Sequence, residues 1–280
     1  MTLRHGSLFS GIGGIDLGLQ WAGIETVWQV ERDPFCRRVL EKHWPRVRRF
    51  SDVRECGKHN LATVDIISGG FPCQDISVAG KRRGLNGRRS RLFWQMARII
   101  RELRPRWVLI ENVSRLLRTH GDGVLAEMEG AGYECWPFVL GAKEIGATHQ
   151  RSRAWILCRR IDAGGDGQAD EGMGVAGPAF SENATRALAA AIEEWNRRRD
   201  ELVSGNGRAG RDAYAGIVRA SHGIPYWLDR LRAVGNAVVP QIPMLFGCFI
   251  ASAGVPRGHL CPNGKTASEI NPSRPGTPGR

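Results

Sequence analysis

The tract Gly69-Gly70-Phe71-Pro72-Cys73-Gln74 places a cysteine directly after a proline, where a glycine pair closes a β-branched run. That run, Val64-Asp65-Ile66-Ile67-Ser68, predicts a short core strand. In an open α/β sheet, ligands bind beyond the carboxyl ends of the strands, so Cys73 falls where chemistry is done. A thiolate is the side chain best suited to adding to a soft electrophilic carbon. The plain alternative is a small buried apolar cysteine, and the other residues of the chain decide between the two.

Five further groups have types and positions that suit chemistry. Phe9-Ser10-Gly11-Ile12-Gly13-Gly14 follows an apolar run and reads as a glycine-rich turn that lets backbone amides approach a ligand. It is not a dinucleotide fingerprint, because Asp16 stands where the third glycine would be, and it lacks the Gly-Lys-Ser/Thr of a P-loop. Glu31 ends the next strand, where a carboxylate can accept from both hydroxyls of a ribose. Asp52, with Val53 after it, stands after the following strand and can hold an adenine amino group. The set outlines a nucleoside pocket with no diphosphate cradle, which suits S-adenosylmethionine better than NAD. Glu111, after the run Trp107–Ile110, lies on the same rim as Cys73 and can give a proton to a ring nitrogen. Arg151 and Arg153 alternate before Ala154–Leu157 and point to one face, within reach of a common ligand.

Strand and helix patterns alternate from residue 3 to about 160, the signature of a parallel α/β sheet. Leu3–Phe9, Thr26–Val30, Val64–Ser68 and Trp107–Ile110 are the candidate parallel strands. Phe138–Leu140 and Ala154–Leu157 fit an antiparallel pair at the sheet edge. The stretch 162–177 is rich in Gly, Asp and Ala and reads as a flexible loop. Ser181 is positioned to cap a helix carrying Leu188, Ile192 and Trp195 on one face. A final helix is expected from Pro240 or Gln241 to about Ala251, and a Pro/Gly-rich, disordered tail over 256–280.

The 280 residues can bury a full core, and the formal net charge of +12 favours a polyanionic partner. Between Lys81 and Arg106 stand ten basic residues and one acid, Glu102. The glycine-punctuated half of that stretch, with Lys81, Arg82, Arg83, Arg88, Arg89 and Arg91, reads as a mobile lid for a phosphate backbone. No apolar run reaches transmembrane length and no signal peptide opens the chain, so nucleic acid is preferred over a membrane. Seven scattered cysteines without a CxxC pair indicate neither a disulfide framework nor a zinc site. A reducing cytoplasm is the expected location, with no metal.

The ordered set resembles the DNA cytosine-C5 methyltransferase family, in its compact bacterial or phage form. The resemblance rests on Phe9-Ser10-Gly11-Ile12-Gly13-Gly14, Glu31, Asp52, Pro72-Cys73-Gln74, Glu111-Asn112-Val113 and Gly235-Asn236-Ala237-Val238-Val239-Pro240, in that order. It implies a Rossmann-like S-adenosylmethionine-dependent methyltransferase sheet with a small, partly irregular target-recognition insertion. The expected layout is a catalytic domain over 1–160, the insertion over 161–229 and a returning segment over 230–255. It also implies a cytosine flipped out of duplex DNA and methylated at C5 through a bond from Cys73 to C6.

In that reading Glu111 holds N3 and the exocyclic amine, Arg153 the O2 oxygen, and Arg151 supports it. Asn236 and Val238 complete the cofactor site, and Gln74 and the basic loop meet DNA. The protein would act as a monomer in restriction–modification or phage self-protection, with any cognate endonuclease a separate protein. His149 stands where the family usually has glutamine. Methylation of RNA and a non-catalytic DNA-binding relative are the alternatives; the target sequence is not legible.

Overall fold

A computed structural model describes residues 2–72, 92–145, 151–161, 233 and 235–252. The element order is β1 (Arg4–Leu8), α1 (Gly14–Trp21), β2 (Glu25–Val30), α2 (Pro34–His43), β3 (Arg48–Phe50), a 3-10 turn (Val53–Glu55) and β4 (Ile66–Gly69). Then come α3 (Leu92–Leu103), β5 (Trp107–Val113), α4 (Arg115–Thr119), α5 (Gly121–Gly130), β6 (Tyr133–Gly141), β7 (Ser152–Arg160) and α6 (Gln241–Ser252).

The strands form one seven-stranded sheet in the order β3-β2-β1-β4-β5-β7-β6. The first five are parallel, whereas β7 runs antiparallel to both β5 and β6. Strand order reverses between β1 and β4, which pair in register from His5↔Ile66 to Leu8↔Gly69. At that reversal the loops after the two strands leave the same rim toward opposite faces and open a crevice between them. The glycine turn after β1 and the Pro72-Cys73 loop after β4 therefore start side by side.

Each face of the sheet carries its own apolar layer. On one, α3 buries Phe93, Met96, Ala97, Ile100 and Leu103, the spacing of a single helical stripe, against Ile67, Val108 and Ile110. On the other, α1 and α6 cover Ile66, Leu109, Trp155 and Leu157, with the Phe246 and Trp155 ring centroids 5.6 Å apart. A polar seam runs through this second layer. His5 is fully buried between the hydroxyls of Thr26 (3.0 Å) and Ser68 (2.7 Å). Burial drives its imidazole down to about 3, so it stays neutral and acts as a strand-to-strand tie.

The expected strands are present with three informative differences. β5 continues past Ile110 to Val113, which puts Glu111 inside a strand rather than after one. The parallel ladder with β4 stops at Gly69↔Ile110, but the antiparallel ladder with β7 continues through Glu111↔Trp155 to Val113↔Arg153. The edge hairpin is likewise longer than Phe138–Leu140 and Ala154–Leu157, because antiparallel pairing tolerates the charged residues at its ends. β4 begins at Ile66 rather than Val64 and takes in the first glycine, Gly69. The final helix starts at Gln241 as expected. The 162–177 loop, the helix after Ser181 and the 256–280 tail lie outside the described residues.

The returning segment is held by a close helix crossing. A methyl group on Gly18 of α1 would sit 2.1 Å from the Pro240 carbonyl oxygen and 2.6 Å from Pro243 Cγ. Gly18→Ala would gain about 1 kcal/mol in helix propensity. The overpacking should outweigh that gain, for a net loss of about 1–3 kcal/mol in denaturant unfolding. Unchanged stability would mean that α1 and α6 do not pack this closely.

Candidate active site

The glycine turn is held by the strand beside it. Leu8 ends β1, and Phe9 then adopts a left-handed φ of 55°, unusual for a residue with a side chain. Such backbone strain, of order 1–3 kcal/mol, is kept where the surroundings dictate it. Ser10 donates its N–H to the Val30 carbonyl (3.1 Å), and Gly13 donates to the Ser10 carbonyl (2.9 Å). Gly13 has φ 85°, a conformation glycine takes without a steric penalty, and it leads directly into α1. From above, the Val238 carbonyl of the returning segment would lie 2.8 Å from a Cβ at Gly14.

Glu31 closes this turn. Its Oε2 accepts the Gly11 N–H and its Oε1 accepts the Asp33 N–H, both at 2.7 Å. Burial raises its carboxyl above the ordinary value, and the two amide bonds work in the opposite direction. Each oxygen keeps a second lone pair, so the carboxylate can still accept two hydroxyl groups. Asp52 is engaged differently. It caps the 3-10 turn by accepting the Arg54 N–H (3.0 Å), and both its oxygens meet the Arg54 guanidinium. The bond from Arg54 holds Asp52 down at about 2. Val53 beside it is buried in the apolar layer.

The second cluster sits further along the rim, on β5 and at the start of β7. Glu111 Oε1 is 3.0 Å from Arg153 Nε. Arg151 stands just before β7, and its Nε and Nη2 are buried with no hydrogen-bond partner among the described residues. Burial and the like charge of Arg153 lower the Arg151 guanidinium, which Glu111 partly offsets. Burial dominates at Glu111 as well and pushes its carboxyl up to about 7, with Arg153 and then Arg151 opposing. A carboxyl poised there can be a proton donor at neutral pH, as a solvated one cannot.

These side chains abut the start of the cysteine loop. A methyl on Gly70 would fall 2.8 Å from Glu111 Oε2, so only a glycine lets the two strands bring this carboxylate so near the loop. Asn112 Nδ2 donates to the Phe71 carbonyl at 3.1 Å, and Phe71 packs on Phe93 with ring centroids 5.1 Å apart. Pro72, half-buried, is the last described residue before Cys73.

The structure thus brings Phe9, Gly11, Gly13, Gly14, Glu31 and Val238 around one turn, and Glu111, Arg151 and Arg153 around another group of atoms. Asn236 is exposed, two residues before Val238. Cys73, Gln74, Lys81, Arg82, Arg83, Arg88, Arg89, Arg91 and His149 lie outside the described residues. The role of Asn112 was missed in the sequence beyond its place in the Glu111-Asn112-Val113 tract. An asparagine within an apolar strand was the available signal, since a buried amide must find a partner.

The sheet and its rim define a doubly wound α/β protein with a glycine-rich turn at the strand reversal. The methyltransferase EhMeth of Entamoeba histolytica has a similar fold, with a TM-score of 0.51 at 15% identity over 60% of this chain and 56% of that one. Residues 3–185 match the family model for the C-5 cytosine-specific DNA methylase, and the chain belongs to that family. Among its relatives, Type II methyltransferase M2.BsuMI of Bacillus subtilis (strain 168) is 38% identical over 54% of this chain and 40% of that protein. Type II methyltransferase M.HhaI of Haemophilus parahaemolyticus is 33% identical over 57% of this chain and 50% of that protein. The chain therefore spans about half the length of the curated relatives it matches.

Carboxyl-resolved NMR should find the Glu111 resonance titrating near 7. Arg153→Leu should move that midpoint higher, because the largest opposing charge is gone. A midpoint in the range of an unperturbed glutamate, about 4.3, would place the carboxyl in water.

Proposed function

We propose that this chain methylates C5 of a cytosine turned out of duplex DNA, with S-adenosylmethionine as the donor. The observation that carries this reading is the Glu111 carboxyl, buried between Arg151 and Arg153 and set against Gly70, three residues before Cys73. That pairs a neutral-range acid with the strand that leads to a cysteine, the combination required to activate a pyrimidine.

C5 of cytosine is a poor nucleophile and is shielded in the stack, so the base must leave the helix first. The Cys73 thiolate then adds to C6. As this bond uses up the C5–C6 double bond, Glu111 gives a proton to N3, and C5 is left as the nucleophilic carbon of a C4–C5 enamine. Arg153 binds O2, and Arg151, whose Nε and Nη2 have no partner among the described residues, supports that end of the ring or the flanking phosphate. Bound at the glycine turn, S-adenosylmethionine supplies the electrophilic methyl that C5 accepts. Loss of the C5 proton to water, departure of Cys73 as thiolate and return of the N3 proton to Glu111 restore the aromatic ring as 5-methylcytosine.

The cofactor assignment is supported by the donor set. Glu31 offers a free lone pair on each oxygen to the two ribose hydroxyls, and Gly11, Gly13 and Gly14 give the amino-acid end a backbone surface closed by Val238. An adenine amino group at Asp52 would share that carboxylate with Arg54, and Val53 would line the ring. Asn236 would join from the returning segment. The basic loop of Lys81, Arg82, Arg83, Arg88, Arg89 and Arg91, together with Gln74, would close on the DNA. Residues 161–229 would read its bases in the major groove. The relatives are Type II methyltransferases, and restriction–modification is the corresponding setting proposed here, with the endonuclease a separate protein.

Labelled methyl transfer from S-adenosylmethionine to unmethylated duplex DNA, mapped at base resolution, should place 5-methylcytosine at one recurring short sequence. Cys73→Ser should abolish transfer and leave cofactor binding intact. Turnover by that variant, or label on RNA alone, would overturn the reading.

The kcat/KM profile carries a second expectation. Glu111 stays protonated well past the range of a solvated glutamate, so raising the pH through about 7 removes the donor and activity should fall. Glu111→Gln should lower kcat by about 10²–10⁴-fold and abolish that alkaline limb. A limb that survives in the variant would move the acid role to another group.

A further inference from the structure

Beneath the glycine turn lies a set of side chains to which no role has been assigned above. Asp16, in the first turn of α1, is fully buried. Its Oδ2 accepts from Ser7 Oγ on β1 (3.0 Å), and its Oδ1 accepts from Gln29 Nε2 on β2 (2.9 Å). The Gln29 amide oxygen faces Arg49 Nη1 at 3.5 Å, and the same nitrogen donates to the Trp44 carbonyl at 2.7 Å. The Trp44 indole then returns to the turn from below. A Cβ on Gly13 would fall 2.4 Å from Trp44 Cζ3 and 3.0 Å from Leu40 Cδ2. Trp44 Nε1 also donates to Gln20 Oε1 at the other end of α1 (2.9 Å).

The contacts make a closed ring: Gly13, Trp44, Arg49, Gln29, Asp16, and back through three residues of α1 to Gly13. We infer that Asp16 and Trp44 are positioning residues for the cofactor turn, gripping it between the sheet and the end of α2. The inference rests on the proposed binding of S-adenosylmethionine at that turn.

Two arguments support a positioning role over simple packing. A buried carboxylate is a costly way to fill space, and burial pushes Asp16 up to about 6 against its hydrogen bonds. A leucine would fill the same volume without that cost, but it could not hold β1 and β2 to the helix at fixed distances. Further, Trp44 meets the turn at Gly13, whose left-handed φ of 85° sets the direction of the amides entering α1. Loosening either contact leaves the turn free to relax, and a ligand must then pay to order it.

The test is calorimetric titration of the full chain with S-adenosylhomocysteine, beside separate KM values for S-adenosylmethionine and duplex DNA. Asp16→Ala should raise the Kd about tenfold, the effect of one lost charge-assisted hydrogen bond, and leave KM for DNA within about twofold. Asp16→Asn keeps the shape and an acceptor for Gln29, and should recover most of the affinity. Trp44→Ala should weaken binding similarly. Because both cuts open one ring, Asp16→Ala/Trp44→Ala should be no weaker than the weaker single variant.

Wild-type affinity in Asp16→Ala, full additivity in the double variant, or equal rises in both KM values would overturn the brace. If Asp16→Ala does not fold, Gln29→Met breaks the same ring one contact further out, with the same expected loss and the same refutation. Wild-type protein that binds no S-adenosylhomocysteine would overturn the cofactor reading along with the brace. Binding that ignores these substitutions would overturn the brace alone.

Discussion

The desolvation of one carboxyl group, Glu111, governs the arrangement of the rim. Taking a carboxylate out of water is expensive, and two arginines within reach only partly compensate for it. The group is consequently left near 7 instead of being driven down, as a solvated ion pair would be. The contrast with Asp52 is instructive. Both carboxylates face an arginine, yet Asp52 sits in a more open place and falls to about 2. Burial, not the partner, separates a proton donor from a permanent anion.

That burial depends on strand pairing. Glu111 is held inside β5 because β7 continues the ladder after β4 has ended, so the side chain cannot swing out to solvent. The same ending of β4 releases Gly70, Phe71 and Pro72 into a loop whose Phe71 carbonyl Asn112 captures. On the other side of the reversal, the β1–β4 register carries the glycine turn to the neighbouring position. One feature of topology thus serves both halves of the site: the glycine turn and the acid lie along one rim because β4 pairs with β1 on one side and β5 on the other, though the three are far apart in the chain.

Much of this was legible in the residues. Apolar runs with β-branched content marked β2, β4 and β5, and glycines at fixed offsets marked the turn after β1. Strand ends were harder. An antiparallel partner extends a strand into polar residues, and no local pattern in Trp107–Val113 announces that Arg153 will lie opposite Val113. Asp52 shows a related limit: its carboxylate was read for a ligand, and a residue two positions away, Arg54, claims both oxygens. Buried polar side chains such as Asp16, Gln29 and His5 were also illegible as a group, because their partners come from four different strands and a helix.

The sequence alone determined which chemistry was available, since residue type and order are local properties. A cysteine after proline, an acid at a strand end, paired arginines and a glycine turn can be read without knowing what touches what. Only the tertiary structure decided how those groups are tuned. The proton affinity of Glu111 and the grip on Gly13 are set by how much water is excluded and which distant side chains fill the space. Exclusion of water is a property of packed surfaces, and it exists only once the sheet and its helices have closed around them.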